Sequence, residues 1–180
     1  MGAPLYRVMT VCTGNICRSP MAEVVLRDRF EAAGFADAVV VDSSGISDEE
    51  TGNPIDPRAA EVLQEAGYPV PRHRAHRVTA KEIGERDLLL AMTARHARTL
   101  RTLAPGAEAA ARVRMFRSFD PGAPAVSGPD AVADEELLDV EDPWYGGPDD
   151  FLSVLQQVEA AADGIVEHVR NELARRGSES

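Results

Sequence analysis

Apolar residues fall into short runs separated by longer stretches with helical spacing. Residues 5–11 are mostly apolar with β-branched residues at the end, and read as a buried first strand. Thr13-Gly14-Asn15 breaks the run, and Ser19-Pro20 opens a helix, with proline near the first turn where its missing N–H costs little. Met21, Val24, Val25, Leu26 and Phe30 mark one side of that helix, and Gly34 is a fitting stop. Residues 38–41 form a second strand leading into Asp42-Ser43-Ser44-Gly45. Asp56-Pro57 starts a helix that ends at Gly67, and residues 88–92 are a third buried strand. A helix over 94–103 stops before Pro105-Gly106, residues 112–116 read as a fourth strand, and a last helix runs over 149–175. Strands alternating with helices predict an α/β fold, a parallel sheet covered on both faces. Residues 1–176 are expected to form one domain, with 121–136, rich in Pro, Gly, Ala and Asp, as a mobile loop and 177–180 as a frayed tail.

The chain has 180 residues, enough for one domain with a core and a cleft, and a net charge of -11, which argues against a nucleic-acid protein. The bland consequence of that acidity is a self-repelling surface, so an anionic ligand would need a locally positive pocket. No apolar run approaches the length of a membrane span, no secretory signal is visible, and Tyr6 stands where a myristoylation motif needs Ser or Thr. A cytoplasmic location is therefore expected. Lys81 is the sole lysine among many arginines, a bias typical of GC-rich bacterial genomes. The two cysteines, Cys12 and Cys17, are too close together to staple a fold and have no zinc partners nearby, which points to reactivity rather than structure.

The segment Cys12-Thr13-Gly14-Asn15-Ile16-Cys17-Arg18-Ser19-Pro20 lies between the first strand and the first helix. Ligands of parallel sheets bind beyond the carboxyl ends of the strands. A turn there aims backbone N–H groups inwards, and a helix N-terminus adds positive potential, a cradle for a tetrahedral dianion. Gly14 is expected to permit the bend and a close backbone approach. The thiolate is the reactive form of cysteine, and a helix N-terminus and a cation beside Cys12 favour it. Arg18, six positions on, offers a planar fork for two phosphate oxygens, and Ser19 a hydroxyl for the sulfur.

The stretch VCTGNICRSP at residues 11–20 resembles the signature loop of the low-molecular-weight protein tyrosine phosphatases, and Glu141-Asp142-Pro143-Trp144-Tyr145-Gly146 resembles that family's second signature. The resemblance implies a three-layer fold, a four-stranded parallel sheet flanked by helices. It implies a hydrolase that takes phosphate from phosphotyrosine-containing proteins through a phosphocysteine at Cys12. Arg18 would be the phosphate clamp and Asp142 the general acid and base. Thr13, Gly14, Asn15, Ile16, Cys17 and Ser19 would shape the phosphate site. Trp144 and Tyr145 either wall an aromatic slot or pack on the core, and their adjacency in a Gly-rich loop favours the slot. Ile16 stands where phosphoarginine phosphatases carry Thr, which favours phosphotyrosine. Ser43 and His73 match positions that hold Asn15, although His73 also reads as a surface histidine in an Arg-rich stretch. No metal, no cofactor, no nucleic acid and no membrane are implied, and a monomer is expected.

Two positions depart from the family. Glu49 stands where the opposite wall of the slot often carries an aromatic, and Thr93 where many relatives place Asp. Two rivals follow. An arsenate reductase would use the same cradle but needs downstream cysteines, and none follows Cys17. A phosphate-dependent binding module would keep the pocket without turnover.

Overall fold

The computed structural model describes residues 4–128 and 130–179. Four parallel strands, β1 (Tyr6–Cys12), β2 (Val39–Gly45), β3 (Leu88–Ala91) and β4 (Val113–Met115), lie in the order β2-β1-β3-β4. The chain passes from β1 to β2 on one side and then crosses to β3 on the other. Its direction therefore reverses at the carboxyl end of β1, where open α/β sheets bind ligands. In register, Cys12 stands opposite Gly45 on one side, and Val11 opposite Ala91 on the other.

Both faces of the sheet are covered. Tyr6 and Val8 of β1 pack in one core with α1 (Arg18–Ala32), α2 (Pro57–Glu65) and α6 (Pro148–Ser178). The alternate residues Met9 and Val11 enter a second core with α3 (Ala80–Glu85), α4 (Ala94–Leu103) and α5 (Ala107–Ala111). This two-sided burial explains why β1 and β3 read as nearly continuous apolar runs.

The expected strands and long helices are present, with shifted ends. β1 runs one residue further than expected and so ends on Cys12. β2 extends beyond the expected 38–41 to take in Asp42-Ser43-Ser44-Gly45, where Ser43 and Ser44 are buried beneath the β1–α1 turn. α3 and α5 were not foreseen: each has a single buried apolar residue, Ile83 and Ala109, too few to show a period. α3 does carry a capping box between Thr79 and Glu82. α6 is helical through Ser178, so 177 and 178 do not form the expected tail, and Ser180 lies outside the described residues. The described residues of 121–136 hold turns and irregular chain up to a 3₁₀ helix, Ala133–Leu138. Glu135 of that helix is bound by both terminal nitrogens of Arg101, at 2.7 and 2.8 Å, which ties the end of the segment to α4.

Candidate active site

Cys12 is the last residue of β1 and Arg18 the first of α1, so the five residues between them must turn within a single loop. The turn is made by Asn15, whose φ of 60° is the one left-handed backbone at a non-glycine residue among those described. Gly14 is not in that region, which corrects the expectation that it supplies the bend. A Cβ at Gly14 would stand 3.1 Å from the Glu50 side chain, whereas a Cβ at Gly45 would stand 2.5 Å from the Thr13 carbonyl oxygen. Gly45 of β2 is thus the glycine that lets the loop lie against the sheet.

Asn15 is fully buried and pays for its conformation with hydrogen bonds. Its Nδ2 donates to Ser19 Oγ at 2.9 Å and to Ser43 Oγ at 3.0 Å, and its Oδ1 accepts from His76 N at 3.1 Å. His73 Nε2 stands 2.6 Å from the Asn15 carbonyl oxygen. Burial lowers the pKa of His73, so the ring is neutral at pH 7 and donates Nε2–H to that carbonyl. Both Ser43 and His73 therefore touch Asn15.

Cys12 Sγ lies 3.0 Å from Ser19 Oγ and accepts from Asn15 N at 3.3 Å. Ser19 Oγ is also 3.2 Å from the Ser44 carbonyl oxygen. The serine has one proton for two acceptors. With a Cys12 thiol, that proton goes to Ser44; with a thiolate, it turns to the sulfur. Cys17 is a free, buried thiol whose pKa burial pushes well above the ordinary range, with Asp56 adding to the effect, so it stays protonated.

Arg18 is only 4% exposed and is gripped by its surroundings. Nη1 donates to the Val140 carbonyl at 3.0 Å, and Nη2 lies 3.4 Å from both Thr13 Oγ1 and Asp142 Oδ2. Its Nε is buried with no partner among the described residues. Nε and Nη2 share one edge of the guanidinium, the fork that takes two oxygens of a phosphate.

A cavity of about 300 Å³ opens over these groups, lined by Cys12, Thr13, Gly14, Ile16, Cys17, Arg18, Glu49, Glu50, Asp142, Trp144 and Tyr145. Asn15, Ser19, Ser43 and His73 lie behind it as supports. Asp142 is at the rim and exposed, with Oδ1 accepting from Trp144 N at 3.1 Å. Trp144 is 41% exposed and Tyr145 95% exposed, so neither is packed in the core. Thr93 is the N-cap of α4 and borders a neighbouring concavity on the far side of Arg18.

Sequence reasoning missed several residues of the site. Arg58 of α2 stacks on Trp144, its Cζ 5.2 Å from the ring centroid, and donates to the Trp144 carbonyl at 3.0 Å. Asp56, the N-cap of α2, binds Arg58 in turn, and its own N–H reaches the Ile16 carbonyl at 2.9 Å. Asp56-Pro57 signals a helix start in the sequence, but nothing local says that this start touches both the signature loop and the loop that carries Asp142 and Trp144. Glu50 adds a second carboxylate beside Glu49.

A cysteine and an arginine at the end of the first strand of a parallel sheet, with a carboxylate across the cavity, define the architecture of a cysteine-dependent phosphatase. Residues 7–175 match the family described as low molecular weight phosphotyrosine protein phosphatase. A low molecular weight protein-tyrosine-phosphatase of Streptomyces coelicolor is 45% identical over 173 residues, 96% of this chain and 99% of that protein. Low molecular weight protein-tyrosine phosphatase A of Mycobacterium tuberculosis is 47% identical over 177 residues, 98% of this chain and 99% of that one. Among solved structures, YfkJ from Bacillus subtilis superposes with a TM-score of 0.80 at 26% identity, covering 94% of this chain and 98% of that one. Vibrio vulnificus Wzb in complex with benzylphosphonate superposes with a TM-score of 0.73 at 26% identity, covering 92% and 99%. The chain belongs to the low-molecular-weight protein tyrosine phosphatases, a family of hydrolases.

Proposed function

We propose that the protein hydrolyses phosphotyrosine in protein substrates through a phosphocysteine at Cys12. The observation that carries this is the buried Nε of Arg18, without a partner among the described residues, in a cavity bordered by both Cys12 and Asp142. An N–H left unpaired out of water is costly, and a phosphate oxygen would relieve it. The Wzb complex supports the choice of ligand, since benzylphosphonate joins an aromatic ring to a phosphate-like group.

In the first step the Cys12 thiolate attacks phosphorus as the bond from phosphorus to the tyrosine oxygen breaks. Asp142 gives its proton to the departing phenolate, which lowers the barrier by a typical ~10²–10⁴-fold. Arg18 and the loop N–H groups hold the equatorial oxygens. Water then attacks phosphorus and yields a proton to Asp142, while the P–S bond breaks and the Ser19 hydroxyl receives the thiolate. All of these groups come from the chain, so we expect no metal or organic cofactor. Trp144 and Tyr145 form one side of the ring slot. Glu49 and Glu50, on the other, disfavour phosphopeptides with acidic flanks. Phosphotyrosine proteins in the cytoplasm are the expected partners of a monomeric enzyme.

The test is steady-state hydrolysis of phosphotyrosine, phosphoserine and phosphoarginine, with and without chelator. Turnover of phosphotyrosine alone, unaffected by chelator and abolished in Cys12→Ser and Arg18→Ala, is the expected result. Asp142→Ala should slow aryl phosphates with poor leaving groups most. An equal loss across leaving groups would show that Asp142 is not the acid, and no turnover at all would turn the protein into a phosphate-dependent binding module.

A further inference from the structure

His96 takes no part in the chemistry above, yet it is 1% exposed and reaches the signature loop from the opposite side of the sheet. It sits in the first turn of α4, and the start of that helix is pinned twice. The His96 N–H donates to Thr93 Oγ1 at 3.2 Å, and the Ala94 N–H to Asp139 Oδ1 at 2.7 Å. From this fixed backbone the ring places Nε2 2.8 Å from Thr13 Oγ1, the oxygen that also faces Arg18 Nη2. Nδ1 is buried with no partner among the described residues.

Those contacts determine where the proton lies. Arg18 can only donate, so one lone pair of Thr13 Oγ1 is taken by Nη2–H. A proton on Nδ1 would bury an N–H without an acceptor, the costlier kind of orphan. A proton on Nε2 gives that N–H an acceptor, the second lone pair of Thr13 Oγ1, and leaves only a bare nitrogen at Nδ1. The charged ring is disfavoured as well. Burial, and after it the charges of Arg18 and Arg95, push the pKa of His96 down to about 3.

We propose that His96 is a positioning residue of the phosphate clamp: its Nε2–H fixes Thr13 Oγ1 as the acceptor that orients Arg18. The Val140 carbonyl holds Nη1, and the His96–Thr13 pair holds Nη2. The two anchors set the plane of the guanidinium and leave Nε–H, with the second N–H of Nη2, as the fork for the ligand. This role rests on phosphate binding at the Cys12–Arg18 loop as proposed above. It makes α4, which supplies no group to the reaction, part of the device that aims the clamp.

The experiment uses the full chain, inorganic phosphate as probe, and competitive inhibition of aryl phosphate turnover as the readout. His96→Leu keeps the bulk but removes the donor, His96→Gln restores an N–H at the same reach, and Thr13→Val removes the acceptor. His96→Leu and Thr13→Val should each weaken phosphate binding about tenfold, the double variant no more than either, and His96→Gln should recover most of the loss. Nitrogen NMR of the wild-type imidazole should show a neutral Nε2–H tautomer from pH 5 to 8. The proposal is overturned by an Nδ1–H or charged ring in that range, by unchanged phosphate affinity in Thr13→Val or His96→Leu, or by additive losses. Should His96→Leu not fold, Thr13→Val and the wild-type spectrum still decide. Absence of phosphate binding by the wild type would overturn the phosphatase reading itself, whereas intact binding with a silent His96→Leu overturns only the role of His96.

Discussion

Asn15 shows how a single residue can be structural and functional at once. It turns the loop with a backbone that asparagine tolerates better than most residues, and its amide joins the loop to Ser19, Ser43 and His76. Asn15→Ala strands these partners in the interior and should cost about 2–4 kcal/mol in urea unfolding together with most of the activity. A loss below about 1 kcal/mol would show that the loop holds its shape without them. His96 makes stability depend on pH. Its folded pKa is lowered to about 3, so below the ordinary histidine value the unfolded chain takes up a proton that the folded chain refuses. Stability is therefore full above about pH 6.5 and falls by roughly 1.4 kcal/mol per pH unit below it, on this residue's account alone. The lowered His73 acts in the same direction. Urea midpoints from pH 7.5 to 4.5 should fall less steeply for His96→Asn than for wild type. At this scale the sequence showed residues whose type carries chemistry in a fixed local spacing: Cys12, Arg18 and Ser19 within eight positions. It did not show Gly45, Arg58 or His96, because their importance comes from contacts with residues distant in sequence, Thr13 for Gly45 and His96 and Trp144 for Arg58.

Among the elements, α2 links the two halves of the site. Its N-cap Asp56 reaches the signature loop through the Ile16 carbonyl, and Arg58 in its first turn stacks on Trp144 near Asp142, the proposed acid. Arg58→Ala should leave the cradle intact and loosen the acid loop. The expected outcome is phosphate inhibition within about threefold of wild type, and a drop in kcat of about tenfold for poor leaving groups and less for good ones. A uniform loss would place Arg58 in the cradle instead. The strands and long helices were legible because burial on both faces of the sheet leaves unbroken apolar runs and 3.6-residue periods. α3 and α5 were not, since one buried side chain makes no pattern. The Ser43–Gly45 end of β2 was hidden because a polar support for the loop looks like a loop itself.

At the scale of the whole molecule, the net charge of -11 and the carboxylates of Glu49, Glu50 and Asp142 surround one buried cation at the base of the cavity. Phosphotyrosine peptides with basic flanks should have a kcat/KM about 3–10-fold above those with acidic flanks at low ionic strength, with the gap narrowing as salt rises. Glu49→Gln combined with Glu50→Gln should shrink it further, while turnover of free phosphotyrosine changes little. A gap that ignores both salt and these substitutions would mean that the flanks are read by something other than charge.

Ser127 and Gly128 are exposed and lie between β4 and the loop that carries Asp142, so the chain reaches Asp142 only after leaving the sheet. A cut between those two residues therefore sorts the chemistry as well as the fold. The first fragment keeps the whole sheet with Cys12 and Arg18, the proposed nucleophile and clamp; the second carries Asp142, the proposed acid, the Val140 carbonyl that holds Arg18, and the helix that completes one core. Such a pair has the makings of a split reporter. Each half alone should be inert towards aryl phosphates, and fusing the halves to two proteins that bind one another should restore turnover in proportion to their association.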